Sequence, residues 1–160
     1  MTIIYAAIGA STATAEASTG AAPVSGPRGL VPFGILNIAP GDNANPALST
    51  PVRTPFCGIT GNTAGAIMLR PGSVTGIAVN LSEAAAGSAA IFAIFKNGTI
   101  INAAAIATVS DGDSNGGAEF ALGAYTFVQG DVLDVRVRTG SGWTAVTADA
   151  SILLEVQFLS

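Results

Sequence analysis

The chain has 160 residues, of which 49% are hydrophobic and only 10% are charged, and its formal net charge is −4. It has no histidine and one cysteine, Cys57, which excludes a histidine general base and an intramolecular disulfide. The six basic residues are scattered, and this gives no basis for binding a nucleic-acid backbone.

Residues 1–29 form a segment rich in Ala, Ser, Thr and Gly. Because such a composition buries too little apolar surface to fold alone, we expect an extended and flexible N-terminal arm. Its apolar tip predicts a partner-binding anchor, while the alternative is a terminus without a binding role. The residues of this predicted anchor are Ile3, Ile4, Tyr5 and Ile8.

Residues 30–56 are predicted to be a Pro-rich extended connector with one strand, Phe33–Ala39. Its prolines lack the N–H group that a central strand needs, so they favour extended chain at a sheet edge. Cys57 follows Phe56 and is expected to pack as a small apolar group. We find no signal peptide and no apolar run of membrane-spanning length, so no membrane partner is expected.

Residues 57–160 contain closely spaced short strands, and no helical period competes with them. Roughly eight or nine strands in about 100 residues predict an all-β sandwich or barrel. The dipeptide Asn97-Gly98 lies between apolar runs and predicts a tight hairpin. The strands are predicted at residues 65–69, 72–81, 89–96, 99–107, 118–122, 125–128, 132–139 and 150–159, with a weaker one at 143–146.

The strand predicted at 132–139 shows the pattern most clearly. Leu133, Val135 and Val137 share one face, which is expected to be buried, while Asp134, Arg136 and Arg138 share the other. The sequence therefore predicts a solvated outer face on this strand.

Few side chains suggest chemistry. The segment Asp111–Gly116 matches the first half of a calcium loop, but Leu122 stands where a bidentate Glu is required, which favours a polar loop without a metal. Asp131 and Asp134 bracket a turn and the start of a strand, where acidic residues are ordinary. Trp143 is expected to seal one end of the sandwich, the alternative being an exposed contact for a glycan or receptor. We therefore predict no catalytic residue, no metal and no cofactor.

Four segments together resemble a known module. They read PGSVTGIAVNLS at 71–82, AIFAIFKNG at 90–98, YTFVQGDVLDVRV at 125–137 and ADASILLEVQF at 148–158. In this order they are similar to the trimeric jelly-roll modules of tailed-phage virion proteins, such as capsid decoration proteins and head or tail fibre tips. The resemblance implies an antiparallel jelly-roll sandwich at 57–160, preceded by the extended arm.

The resemblance also implies a structural, non-enzymatic role at the virion surface. The expected partners are copies of the chain in a homotrimer and the major capsid protein or other virion subunits. Capsid decoration, or cementing, is the leading function, and a fibre or spike tip that binds a host receptor or glycan is the alternative. The low charge fits either role, because a surface poor in charge is expected to be covered by other protein.

Overall fold

The structure is a computed structural model that describes residues 25–38, 50–52 and 65–159. Within these residues the chain is all-β, with eleven strands and no helix. The strands are β1 (Ser25–Ile35), β2 (Thr50–Val52), β3 (Ala66–Ile67), β4 (Gly72–Leu81), β5 (Ala90–Lys96), β6 (Thr99–Ile100), β7 (Ile106–Val109), β8 (Asn115–Glu119), β9 (Tyr125–Phe127), β10 (Val132–Thr139) and β11 (Ala150–Leu159).

The strands form two antiparallel sheets that make a β-sandwich. In the first sheet the order is β1-β11-β4, and β8 and β9 lie one after the other along the free edge of β4. In the second sheet β2 and β3 pair with one side of β10, β5 pairs with the other side, and β6 and β7 pair with the far edge of β5. All the described pairings are antiparallel.

The core lies between the sheets and takes alternate residues from their central strands, as the period of two requires. Each large apolar side chain buried there contributes about 1.5–3 kcal/mol relative to an exposed one. The largest fully buried side chains include Phe33, Phe92, Phe127, Leu133, Ile152 and Leu154.

Three strand predictions are confirmed to the residue, namely 72–81, 132–139 and 150–159. The strand predicted at 99–107 is instead two short strands, β6 and β7, and no strand forms at 143–146. β8 begins at Asn115, earlier than predicted, because Gly116 and Gly117 take part in its pairing with β4.

The sandwich also includes residues that composition assigned to the arm and connector. β1 begins at Ser25 and pairs with β11 as far as Ile35, which is opposite Ala150. The segment contains Pro27 and Pro32, which an edge strand tolerates because only one of its sides must be hydrogen-bonded. A β-carbon at Gly26 would lie 2.7 Å from the carbonyl oxygen of Phe158, so glycine allows the close approach of β1 to β11.

The sandwich has two ends. The proximal end, where β1 begins and β11 ends, comprises the turns at 68–71, 97–98 and 128–131. The distal end comprises the segments at 36–38, 82–89, 110–114 and 140–149. Backbone hydrogen bonds join the distal segments, since Ile38 donates to Ala148 at 2.9 Å and Ala85 donates to Asp113 at 2.7 Å.

Candidate binding surfaces

The predicted anchor residues Ile3, Ile4, Tyr5 and Ile8, together with Cys57, lie outside the described residues. Their roles therefore stay predictions. Most of the predicted connector, 39–49 and 53–56, also lies outside the described residues, whereas Asp111–Gly116, Asp131, Asp134 and Trp143 are described.

Asp131 links two turns at the proximal end. Its carboxylate accepts hydrogen bonds from the Nδ2 of Asn97 at 2.7 Å and from the backbone N–H of Val128 at 2.8 Å. The Oδ1 of Asn97 in turn accepts from the N–H of Val132 at 2.8 Å. Asn97 has a φ of 53° and Gly98 a φ of 80°, the left-handed pair that a two-residue hairpin of this type requires. Asp131 therefore stabilises the turns of the proximal end.

These contacts make the fold sensitive to acid at one carboxylate. The hydrogen bond from the Val128 amide, and secondly the one from the Asn97 side chain, holds the pKa of Asp131 below its ordinary value of 3.8. Since the folded pKa is the lower one, the stabilisation is complete above 3.8 and is lost as the pH falls through the folded value. We expect Asp131→Asn to lower the thermal midpoint at pH 7, and the difference from the unaltered chain to shrink below pH 3.8.

Thermal unfolding followed by circular dichroism from pH 7 to pH 2.5 measures this difference. Asp113→Asn is the matched control, because the Asp113 side chain is exposed and makes no hydrogen bond to a described residue. A constant difference between Asp131→Asn and the unaltered chain over the whole range would contradict the prediction.

The outer face of β10 is less solvated than its sequence predicts. Asp134 is buried, and the Nε of Arg136 lies 3.3 Å from its Oδ1. The guanidinium carbon of Arg136 lies 4.0 Å from the ring centroid of Phe95, which is buried on the adjacent strand β5. The prediction of a solvated face is therefore wrong for Asp134 and Arg136. The Arg136 guanidinium stacks on the Phe95 ring and lies against the Asp134 carboxylate, so each group shields the next from solvent.

The segment Asp111–Gly116 serves as a connection at the distal end. Its carbonyl groups at Asp113 and Ser114 accept hydrogen bonds from the N–H groups of Ala85 and Leu81, each at 2.7 Å. Gly116 already belongs to β8. Among the described residues no group of three or more His, Cys, Asp or Glu side chains is arranged to hold a metal.

Trp143 is buried, with 2% of its surface exposed. Its Nε1 donates to the carbonyl oxygen of Ile38 at 2.8 Å, and this bond ties the segment after β1 to the loop between β10 and β11. The interpretation that Trp143 seals one end of the sandwich is confirmed, and the alternative of an exposed aromatic contact is wrong.

An apolar strip crosses the outer surface of the first sheet. Pro32, Leu153, Ala78 and Gly117 are successive cross-strand partners on β1, β11, β4 and β8. Leu30 lies diagonally beside Leu153, and both leucines are exposed. We call these five residues the outer strip. Its side chains are small or apolar, and nothing in their periodicity distinguishes them from the solvated face of an ordinary strand.

A second apolar group lies at the proximal end. Met68 points into the core, and its backbone pairs with Asp131 and Gly130 through two hydrogen bonds of 2.8 Å. Ile67 and Leu69 flank Met68 and are exposed, as is Val128 in the neighbouring turn. We call Ile67, Leu69 and Val128 the proximal patch. Sequence reasoning missed it because 65–69 was predicted only as a strand, with no sign of which of its side chains would be exposed.

Comparison of the sequence with models of known protein families gave no match. Comparison with curated proteins gave none either. In the part of the chain that the structure describes, no helix is long and apolar enough to cross a membrane.

Proposed function

We propose that this chain is a non-enzymatic structural protein of a phage particle, where it decorates or cements the outer surface of the capsid as a homotrimer. The observation that carries the proposal is the order in which the strands pair. Added to it are the resemblance of residues 71–158 to phage jelly-roll modules and a composition poor in charge.

The pairing order supports a jelly roll. In the second sheet β2 and β3 share one position beside β10, and β6 and β7 share one beside β5. In the first sheet β8 and β9 share one position beside β4. The eleven strands therefore occupy eight positions, which we number in chain order. Position one pairs with eight, two with seven, three with six and four with five. This is the pairing order of one long hairpin that contains four successive strand pairs. In a jelly roll such a hairpin is rolled up so that alternate pairs lie in opposite sheets. Double-sheet jelly rolls of eight strands recur in viral capsid proteins.

Two features support a structural rather than a catalytic role. The chain has no histidine, the residue that most often acts as a general base. Asp131, just before β10, and Asp134, within it, are both engaged, Asp131 by Asn97 and Val128 and Asp134 by Arg136. Cementing needs no catalytic group, because many weak contacts with neighbouring subunits add up to tight attachment.

The outer strip supports self-association, because exposed Leu30 and Leu153 beside the smaller Ala78 and Gly117 suit protein–protein packing. Sedimentation equilibrium of the purified protein should give three times the chain mass of 15.7 kDa. Leu153→Glu should dissociate this trimer, since it places three like charges in an apolar interface. The matched control is Val146→Glu at the distal end, where the exposure of 48% is close to the 42% of Leu153.

Two results would count against the trimer. One is an unaltered chain that remains monomeric at millimolar concentration. The other is a trimer that Leu153→Glu leaves intact, which would exclude the outer strip from the interface.

Binding to particles tests the attachment itself. The predicted anchor at Ile3–Ile8 would be removed by deleting residues 2–24, which leaves β1 whole because β1 starts at Ser25. We expect the full chain to bind phage particles that lack it, and the truncated chain to bind them at least about tenfold more weakly, since three buried apolar side chains contribute several kcal/mol.

Electron microscopy and co-sedimentation with such particles measure both forms. The truncated chain must retain the β-type circular dichroism of the full chain for the comparison to hold. No binding by the full chain would overturn the proposed function, whereas equal binding by both forms would overturn only the role of the anchor.

A further inference from the structure

The segments at the two ends of the sandwich differ in charge, while Arg138 lies within β10, two residues before the distal segment 140–149. The four distal segments carry four carboxylates and no basic side chain, and the carboxylates belong to Glu83, Asp111, Asp113 and Asp149. Two of the four make local hydrogen bonds, since Glu83 accepts from Thr147 at 2.7 Å and Asp149 from the N–H of Asn37 at 3.0 Å. The distal segments are therefore negatively charged and hydrophilic.

The proximal end has the opposite character. Arg70 is exposed there and makes no ion pair with a described residue, and it follows directly on Leu69 of the proximal patch. The one carboxylate of the proximal turns, Asp131, is already engaged by Asn97, Val128 and Lys96, whose Nζ lies 4.0 Å away. The proximal end thus offers exposed apolar side chains beside an uncompensated positive charge.

The chain also enters the sandwich at the proximal end. β1 begins at Ser25 opposite Leu159, and Leu159 donates its backbone N–H to Pro71 at 2.9 Å, in the turn that contains Leu69 and Arg70. Residues 1–24, which carry the predicted anchor, are therefore joined to the fold beside the proximal patch.

We propose that the proximal patch, with Arg70, is the surface by which the sandwich docks on an acidic and partly apolar protein surface of the shell, and that the acidic distal end points outward into solvent. This inference rests on the proposed function and deepens it, because it names the seating surface and the orientation. The apolar side chains would supply the contact area, and Arg70 would pair with a carboxylate of the shell. Shell contacts at both the anchor and the patch would be bivalent, so each would strengthen the other.

The two ends offer a matched pair of variants. Leu69 is 77% exposed at the proximal end and Leu36 is 74% exposed at the distal end, so Leu69→Glu and Leu36→Glu make the same chemical change at almost the same exposure. Neither change touches the core, and circular dichroism checks that both variants fold. Both would be measured by co-sedimentation with phage particles that lack this protein.

We expect Leu69→Glu to weaken binding at least about tenfold and Leu36→Glu to change it less than about twofold. We also expect Arg70→Gln to weaken binding at low salt and to flatten its salt dependence, because it removes the charge that salt would screen. Val128→Glu should act in the same direction as Leu69→Glu, since it alters the neighbouring turn of the same patch.

The failures of the inference and of the proposed function are distinguishable. An unaltered chain that does not bind the particles overturns both. If the unaltered chain binds, two results would overturn only the docking surface and the orientation. One is that Leu69→Glu binds as tightly as the unaltered chain, and the other is that Leu36→Glu weakens binding as much as Leu69→Glu does. Binding to vesicles of phosphatidylglycerol and phosphatidylcholine that Leu69→Glu abolishes, without loss of particle binding, would show a lipid contact and overturn the inference.

Discussion

Replacing Gly87 by alanine is expected to destabilise the sandwich by roughly 3 kcal/mol or more, because it combines steric overlap with backbone strain. Gly87 has a φ of 79°, which L-residues with a β-carbon rarely adopt. The new β-carbon would overlap the carbonyl oxygen of Gly142. A β-carbon at Gly142 would likewise lie 2.7 Å from the oxygen of Gly87, so the two distal loops touch backbone to backbone.

Gly98→Ala separates the two causes. Gly98 has a φ of 80°, almost the same as that of Gly87, but a β-carbon there would meet no atom within 4 Å. We expect this control to cost only about 1 kcal/mol, the conformational part alone. Urea denaturation followed by circular dichroism measures both free energies of unfolding, and equal values for the two variants would contradict the proposed contact between Gly87 and Gly142.

Trp143→Ala should cost about 3–5 kcal/mol of unfolding free energy, since it removes a large buried side chain and leaves a cavity at the distal end. It also leaves the carbonyl oxygen of Ile38 without the 2.8 Å hydrogen bond that it accepts from the indole. Trp143→Phe retains most of the apolar volume but not the N–H donor, so its cost, about 1–3 kcal/mol, reports mainly the unsatisfied carbonyl.

Hydrogen exchange locates the effect. Because the Trp143 bond ties the end of β1 to the loop before β11, we expect both variants to increase exchange first at Ile38, whose N–H is bonded to Ala148. Exchange that rises equally over the whole sandwich at the same total stability would mean that the bond has no local role.

The central strands could be predicted because their signal is local. β10 and β11 alternate apolar and polar residues with a period of two, and this alternation lies within each strand's own sequence. The tight hairpin at Asn97-Gly98 was predictable for a similar reason, since few residue pairs adopt two successive left-handed conformations.

The edge strands could not be placed in the same way. β1 contains Pro27, Pro32 and three glycines, which argue against a strand in isolation. β1 forms nevertheless because β11 supplies backbone hydrogen-bond partners along one of its sides. The other side of β1 is a free edge, where a proline without an N–H group is tolerated. The first 24 residues, including Ile3, Ile4, Tyr5 and Ile8, are the part of the candidate site that rests on the sequence alone.

The sequence by itself determined the all-β class, the central strands and the exclusion of histidine chemistry. The tertiary structure decided which polar side chains are buried and which apolar ones are exposed. Asp134 reads as a solvated residue but lies beside Arg136, whose guanidinium stacks on Phe95 of the neighbouring strand. Leu69 lies in a segment predicted as a strand but is exposed in the turn after β3, where Met68 is the buried residue. Alternation is a property of one strand, whereas burial depends on what the adjacent strands and turns bring to each face, and that becomes known only when the sheets are paired.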